Sequence, residues 1–243
     1  MFDHVTVRVA ERAASERFYE LVLPPLGIEK TSSGADFAEW SDFSIADAYA
    51  ERPVTRRLHL GFRAPSRAHV DEFWRSGVAA GHRHDGEPGP RPQYSPDYYG
   101  GFLLDPDGNS AEAVHYGSLR KDGAVDHVWI RVRDVAASKR FYELAGPHAG
   151  FELRDDTPER AQFKGSGGSF SVVAGPPLTE NVHMAFPSDD AAVRAFHGAM
   201  VEAGYRDNGG PGERPTYHPR CYGAYVLDPD GHNIEVVNRN RSA

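Results

Sequence analysis

Apolar and polar residues alternate along 4–9, a run rich in β-branched side chains, so this stretch reads as a strand. Phe18, Leu21 and Val22 then fall at helical spacing, with Ser15 and Glu16 near the start, which predicts a helix over 13–22. Two shorter strand-like runs follow at 35–40 and 43–49. The scheme then restarts with a strand over 57–62 and a helix over 67–80 that puts Val70, Phe73 and Trp74 on one face. Strands over 102–104 and 111–114 are joined by Asp105-Pro106-Asp107-Gly108, whose proline and glycine suit a tight turn. The second half runs through the same order. It has a strand at 127–132, a helix at 136–144, a strand at 181–186, a helix at 189–203, and a final strand pair at 222–227 and 233–237.

The likeness of the halves extends to individual residues. Phe18-Tyr19-Glu20-Leu21 recurs as Phe141-Tyr142-Glu143-Leu144, a shift of 141 − 18 = 123. Arg91-Pro92-x-Tyr94-x-Pro96 recurs as Arg214-Pro215-x-Tyr217-x-Pro219, and Asp105-Pro106-Asp107-Gly108 as Asp228-Pro229-Asp230-Gly231, both at the same shift. Three landmarks at one offset establish a duplication, and its period is that of a whole domain rather than of a solenoid repeat. The pattern predicts an α+β chain of four βαβββ-like modules, in domains spanning 1–118 and 124–243, with the boundary where Ser118, Lys121 and Asp122 interrupt the apolar pattern.

Composition narrows the function classes. Apolar residues make up 40% of the chain and charged residues 26%, as in ordinary globular proteins. The formal charge is −8 with no long basic run, which argues against a nucleic-acid partner. No window approaches the ~18 apolar residues of a membrane span, and the N-terminus lacks the pattern of a signal peptide. The single cysteine, Cys221, cannot form an intramolecular disulfide and fits a reducing compartment. The expectation is a cytoplasmic monomer or homodimer acting on something small.

Three polar positions on predicted strands recur in both halves. His4 is matched by His127 and Glu112 by Glu235 at a shift of 123, while His59 is matched by His183 at 124. A lone strand histidine is usually a buried residue with a satisfied hydrogen bond. Two histidines and a glutamate recurring together are instead the ligand types of zinc, iron, manganese and nickel, and three such ligands leave coordination positions open. Near the last strands, Tyr217, His218 and Tyr222 can supply acid–base groups, with Ser95 in place of His218 in the first half. His82 and His84 have a His-x-His spacing, but Tyr205 and Asp207 stand there in the second half, and nothing near Cys221 marks it as a nucleophile.

The openings Phe2-Asp3-His4-Val5 and Val125-Asp126-His127-Val128, the helix end Phe-Tyr-Glu-Leu and the closings Asp-Pro-Asp-Gly-Asn-Ser-Ala-Glu112 and Asp-Pro-Asp-Gly-His-Asn-Ile-Glu235 carry a resemblance along the whole chain. The sequence resembles the vicinal oxygen chelate superfamily, which includes glyoxalase I, extradiol dioxygenases, and fosfomycin- and bleomycin-resistance proteins. The resemblance implies paired βαβββ modules curling into cup-shaped sheets around a divalent metal that chelates neighbouring oxygens of a small oxygenated substrate, in a lyase, isomerase or dioxygenase. A drug-sequestering protein that uses the same cups without metal is the alternative. Glyoxalase I-like sites take a fourth ligand, for which the first half offers Asp47 and the second half nothing. Modules in the superfamily pair within a domain or swap. Pairing within domains groups His127 with His183 and Glu235, whereas swapping groups His4 with His183 and Glu235, and His127 with His59 and Glu112.

Overall fold

The computed structural model describes residues 1–117, 122–215 and 220–240. The first half runs β1 (His4–Val9), α1 (Arg12–Val22), β2 (Ser32–Ser33), β3 (Phe37–Trp40), β4 (Phe43–Asp47), β5 (His59–Arg63), α2 (Arg67–Ala79), β6 (His84–Pro90), β7 (Tyr99–Leu104) and β8 (Ser110–His115). The second runs β9 (Val125–Val132), α3 (Val135–Ala149), β10 (Phe151–Thr157), β11 (Arg160–Gly165), β12 (Gly168–Ala174), β13 (His183–Pro187), α4 (Asp190–Glu202), β14 (Arg206–Glu213), β15 (Tyr222–Leu227) and β16 (Asn233–Asn238). This is the α+β architecture of repeated modules that the pattern predicts. The strands form two open eight-stranded sheets, in the orders β14-β15-β16-β13-β1-β4-β3-β2 and β10-β11-β12-β9-β5-β8-β7-β6.

The chain divides into two compact units, one made of Met1–Val5 and Ile130–Ala243 and the other of Thr6–Trp129. The division cuts through strands β1 and β9, so each unit takes the start of its first strand from the opposite half of the sequence. Inside each unit the middle strands are joined by a parallel pair, β5 with β8 and β13 with β16.

The strands β6 and β14 are missing from the sequence-based reading. Their sequences, His-Asp-Gly-Glu-Pro-Gly-Pro and Arg-Asp-Asn-Gly-Gly-Pro-Gly-Glu, show no apolar alternation, and both pair with register shifts. Each lies at the end of its sheet, where proline and glycine are tolerated because one side of the strand needs no partner.

The core of each unit is aromatic. In the unit Thr6–Trp129, Tyr19 of α1 meets Phe43 edge-on at 4.6 Å, and Phe43 meets Phe62 at 5.0 Å. In the other unit, Tyr142 of α3 meets Phe170 at 4.8 Å, and Phe163 stacks on Phe170 at 5.0 Å. The two tyrosines tie together the motifs that revealed the duplication. The Tyr19 hydroxyl donates to Asp105 Oδ2, and that of Tyr142 to Asp228 Oδ2, each at 3.0 Å. The other oxygen, Asp105 Oδ1, accepts from the backbone N–H groups of Asp107 and Asn109, closing the turn whose Gly108 adopts φ +84°.

The two turns differ in one buried residue. Asn109 is fully satisfied: its Oδ1 accepts from Leu58 N–H and its Nδ2 donates to Thr55 O and Asp105 Oδ2. Its counterpart His232 is fully buried and accepts from Val182 N–H at Nδ1, and its Nε2 has no hydrogen-bond partner among the described residues. A buried polar group left unpaired costs about 1–3 kcal/mol. His232→Asn is therefore expected to stabilise the protein by about 1 kcal/mol, visible as a rise of about 2–4 °C in Tm. An unchanged or lower Tm contradicts this account.

Candidate metal centres

Strand periodicity places the donor residues. In β5, His59 and Gly61 share a face, and Gly61 lies opposite Glu112 of β8 on one side and His127 of β9 on the other. All three candidate ligands therefore project from the same face of neighbouring strands. A Cβ at Gly61 would lie 2.3 Å from His127 Cε1, so a side chain here would displace the imidazole. A Cβ at Gly100 would lie 2.4 Å from Glu112 Oε1, so glycine here leaves room for the carboxylate.

Two triads result, each contained within one unit. His59 Nε2, His127 Nε2 and Glu112 Oε2 are separated by 3.1, 2.9 and 3.2 Å. His4 Nε2, His183 Nε2 and Glu235 Oε2 are separated by 3.0, 3.6 and 3.2 Å. The structure thus groups the residues in the swapped pattern, with His127 beside His59 and Glu112 rather than beside His183 and Glu235. Asp47 belongs to neither group: Arg12 Nε lies 3.6 Å from its carboxylate.

Hydrogen bonds on the far side of each ring set its orientation. His127 Nδ1 lies 2.9 Å from Asp126 Oδ2, so Nδ1 carries the proton, and Asp126 Oδ1 accepts from the Tyr116 hydroxyl at 2.7 Å. Tyr98 donates to Glu112 Oε1 at 2.8 Å, leaving Oε2 toward the histidines. In the other triad, His183 Nδ1 faces the backbone carbonyl of Asn233 at 3.1 Å, and His4 Nδ1 faces Asp3 Oδ1 at 2.7 Å. Two of these rings also meet a donor at the same atom: Asn233 Nδ2 lies 2.8 Å from His183 Nδ1, and Arg239 Nη2 lies 2.9 Å from His4 Nδ1. Where Nδ1 carries the only ring proton, the Nε2 lone pair turns toward a carboxylate oxygen. Three lone pairs converging within 3.6 Å repel one another unless a cation lies among them, and a proton or a divalent metal ion meets that need.

This donor set fits a metal. Nitrogen and carboxylate oxygen ligands lie about 2.0–2.2 Å from a transition ion, so two ligands at right angles are about 3 Å apart. The spacing in the His59–Glu112–His127 triad is that of one triangular face around a six-coordinate ion, the two-histidine, one-carboxylate face that leaves other positions open. Titration behaviour follows the same geometry. Burial would raise the Glu112 carboxyl, but hydrogen bonds with His127 and His59 bring it down to about 2. Burial would lower His127, but hydrogen bonds with Asp126 and Glu112 raise it to about 10. Glu235 is likewise lowered despite its burial, by His183 and His4. Burial, and then the charge of Glu112, pushes Tyr98 well above the ordinary phenol range, so its hydroxyl remains a donor.

Of the acid–base candidates, Tyr217 and His218 lie outside the described residues. Tyr222 begins β15, where Tyr225 pairs with Glu235. Strand alternation therefore puts Cys221, Gly223 and Tyr225 on the triad face and Tyr222 on the helix face, where Arg194 of α4 lies 5.8 Å from its ring. The equivalent register in the first half puts Tyr98 on the triad face and Tyr99 against Arg67 of α2. Tyr98 is the residue the sequence reading passed over. Its signal is its parity with Gly100 across the turn from Glu112. Cys221 occupies the matching place in the other unit. Burial, and then the charge of Glu235, pushes its thiol up to about 11, so it is not a thiolate nucleophile near neutral pH. His84 opens an edge strand, and His82 packs edge-on against Phe18 at 4.9 Å.

Comparison with known proteins bears on the family and the fold. Residues 124–236 match the sequence profile of the Glyoxalase/Bleomycin resistance protein/Dioxygenase superfamily. Glyoxalase I from Zea mays superposes with a TM-score of 0.68 at 18% identity, covering 98% of this chain and 92% of that one. A provisionally named dioxygenase from Bacillus subtilis gives 0.68 at 13% identity, covering 99% and 86%. A glyoxalase/bleomycin resistance protein from Albidiferax ferrireducens is 31% identical over 48% of this chain and 99% of its own, with a TM-score of 0.43. No curated protein matches by sequence. Among the described residues no helix is long and apolar enough to cross a membrane. With the duplicated strand–helix modules, the open sheets and the matching profile together, the chain belongs to the glyoxalase/bleomycin resistance/dioxygenase superfamily.

Proposed function

We propose that the protein is a divalent-metal enzyme of the lyase, isomerase or dioxygenase type, acting on a small substrate with two neighbouring oxygens. The observation that carries this reading is the convergence of two imidazole Nε2 atoms and one carboxylate oxygen in each triad. A protein that only sequesters a drug has no need of that arrangement. When bound, an iron, manganese, zinc or nickel ion held by two histidines and a glutamate supplies Lewis acidity to the substrate oxygens at its open positions. Asp126 keeps Nδ1 of His127 protonated, and Tyr98 holds the Glu112 carboxylate by its outer oxygen. Tyr98, Tyr116 and Trp129 line this unit's triad face with half-buried rings that restrict water.

The test is metal content followed by turnover. Purified protein is expected to bind divalent metal and, so loaded, to convert at least one of a panel of hemithioacetals, catechols and epoxides, with activity lost on chelation and restored by metal. A loaded protein inert to the whole panel that still binds such compounds favours the sequestering role. Absence of metal uptake overturns the reading.

Affinity is also expected to depend on pH. Metal-free His127, raised to about 10, holds a proton on both nitrogens throughout the neutral range, and a ligand nitrogen must give its proton up. Binding at this triad therefore expels one proton. Its apparent affinity rises about tenfold per pH unit from pH 6 to 9, as chelator competition would show. A flat profile contradicts the proton held at His127.

A further inference from the structure

The two triads are equivalent in ligands but not in what surrounds them. Each glutamate keeps a phenol partner, although its position has moved. Tyr98 holds Glu112, with Phe102 two pairs along the strand, whereas Tyr225, the counterpart of Phe102, bonds Glu235, and Cys221 replaces Tyr98. The histidine side has changed in charge. Tyr116, a neutral donor to Asp126, has Arg239 as its counterpart at the shift of 123. Arg239 Nε lies 2.8 Å from Asp3 Oδ1, and its Nη2 lies 2.9 Å from His4 Nδ1.

Two consequences follow from that guanidinium. It cancels one of the two carboxylate charges, Asp3 and Glu235, that would favour a dication, whereas Asp126 and Glu112 keep both. It also competes for the histidine tautomer. Asp3 calls for a proton on His4 Nδ1, but a guanidinium N–H pointing at Nδ1 calls for the lone pair there, which sends the proton to Nε2, the ligand atom. His127 has Asp126 on its Nδ1 and, among the described residues, no guanidinium beside it. The geometry agrees: the His4–Glu235 distance is 3.6 Å, whereas no edge of the other triad exceeds 3.2 Å.

We propose that Arg239 makes the His4–His183–Glu235 triad the weaker of two metal sites, so that the chain loads divalent metal first at His59–Glu112–His127. The proposal rests on the metal-binding reading above. Outer partners of ligand histidines typically change metal affinity by about 10–100-fold. Calorimetric titration of metal-free, full-length protein with Co²⁺ should resolve two classes, one site each, separated by about that factor.

His4→Ala should abolish the weaker class and leave the tighter one. Arg239→Gln should strengthen the weaker class by about tenfold, narrowing the gap. Tyr116→Arg, which tests the same argument from the other unit, should weaken the tighter class. Circular dichroism on each variant checks that it is folded. Two sites of equal affinity, or a ratio unmoved by both Arg239→Gln and Tyr116→Arg, overturn the ordering while leaving metal binding intact. No Co²⁺ uptake at either triad overturns both.

Discussion

Replacing His127 with alanine is expected to reduce divalent-metal binding from two equivalents per chain to one, with a loss at the affected site beyond the ~10–100-fold typical of an outer partner. The pairing of the triads makes this a sharper test than simple loss. His127 and His183 serve different sites, so the double variant His127→Ala/His183→Ala should bind no metal, whereas His127→Ala/His59→Ala should keep one equivalent. Were the triads built within each half of the sequence, the first pair would retain an equivalent and the second would retain none. Metal analysis after gel filtration distinguishes the two patterns, and the second pattern would contradict the swapped arrangement.

The largest expected stability effect lies away from the metal. Asp105 is buried and accepts from the Tyr19 hydroxyl, from Asn109 Nδ2 and from the backbone N–H groups of Asp107 and Asn109. Asp105→Ala strands a buried phenol and two turn N–H groups at once. Each unmet buried donor costs about 1–3 kcal/mol, and the phenol and Asn109 retain partial access to other partners, so a total of about 3–5 kcal/mol is expected. Urea denaturation should show this as a lowered midpoint. Tyr19→Phe removes a single one of these bonds and should cost only about 1–2 kcal/mol. A loss below 1 kcal/mol for Asp105→Ala would mean that the helix and the turn are not locked together by this carboxylate.

Much of this was legible in the residues themselves. The six ligand candidates declared themselves because polar residues on apolar strands are costly unless used, and because three such positions each appeared twice. The helices were legible from Phe18 and Phe73 and their counterparts, since burial of one face imposes the 3.6-residue period. Strands β6 and β14 were not, because an edge strand needs no apolar alternation, and Pro88 and Pro211 read as loop. The grouping of His127 with His59 was open because strand pairing between distant segments is a tertiary choice that local pattern does not encode. The distinction between Tyr222 and Cys221 depended on register. That register follows from the Asp228–Gly231 turn, which fixes Leu227 opposite Asn233 and hence Tyr225 opposite Glu235.

The mixed origin of the two triads limits what one half of the sequence can do alone. A chain holding a single repeat owns one histidine of one triad and two donors of another, and completes neither by itself. Two copies, each supplying one histidine to a triad of the other, complete both. A single repeat would therefore need a second copy beside it to complete either triad. Each triad draws on both halves of the sequence, so loss of the donors of either half leaves both triads incomplete. A residue outside the ligands, such as arginine at 239 where its repeat partner has Tyr116, lets the two triads differ while both donor sets are kept.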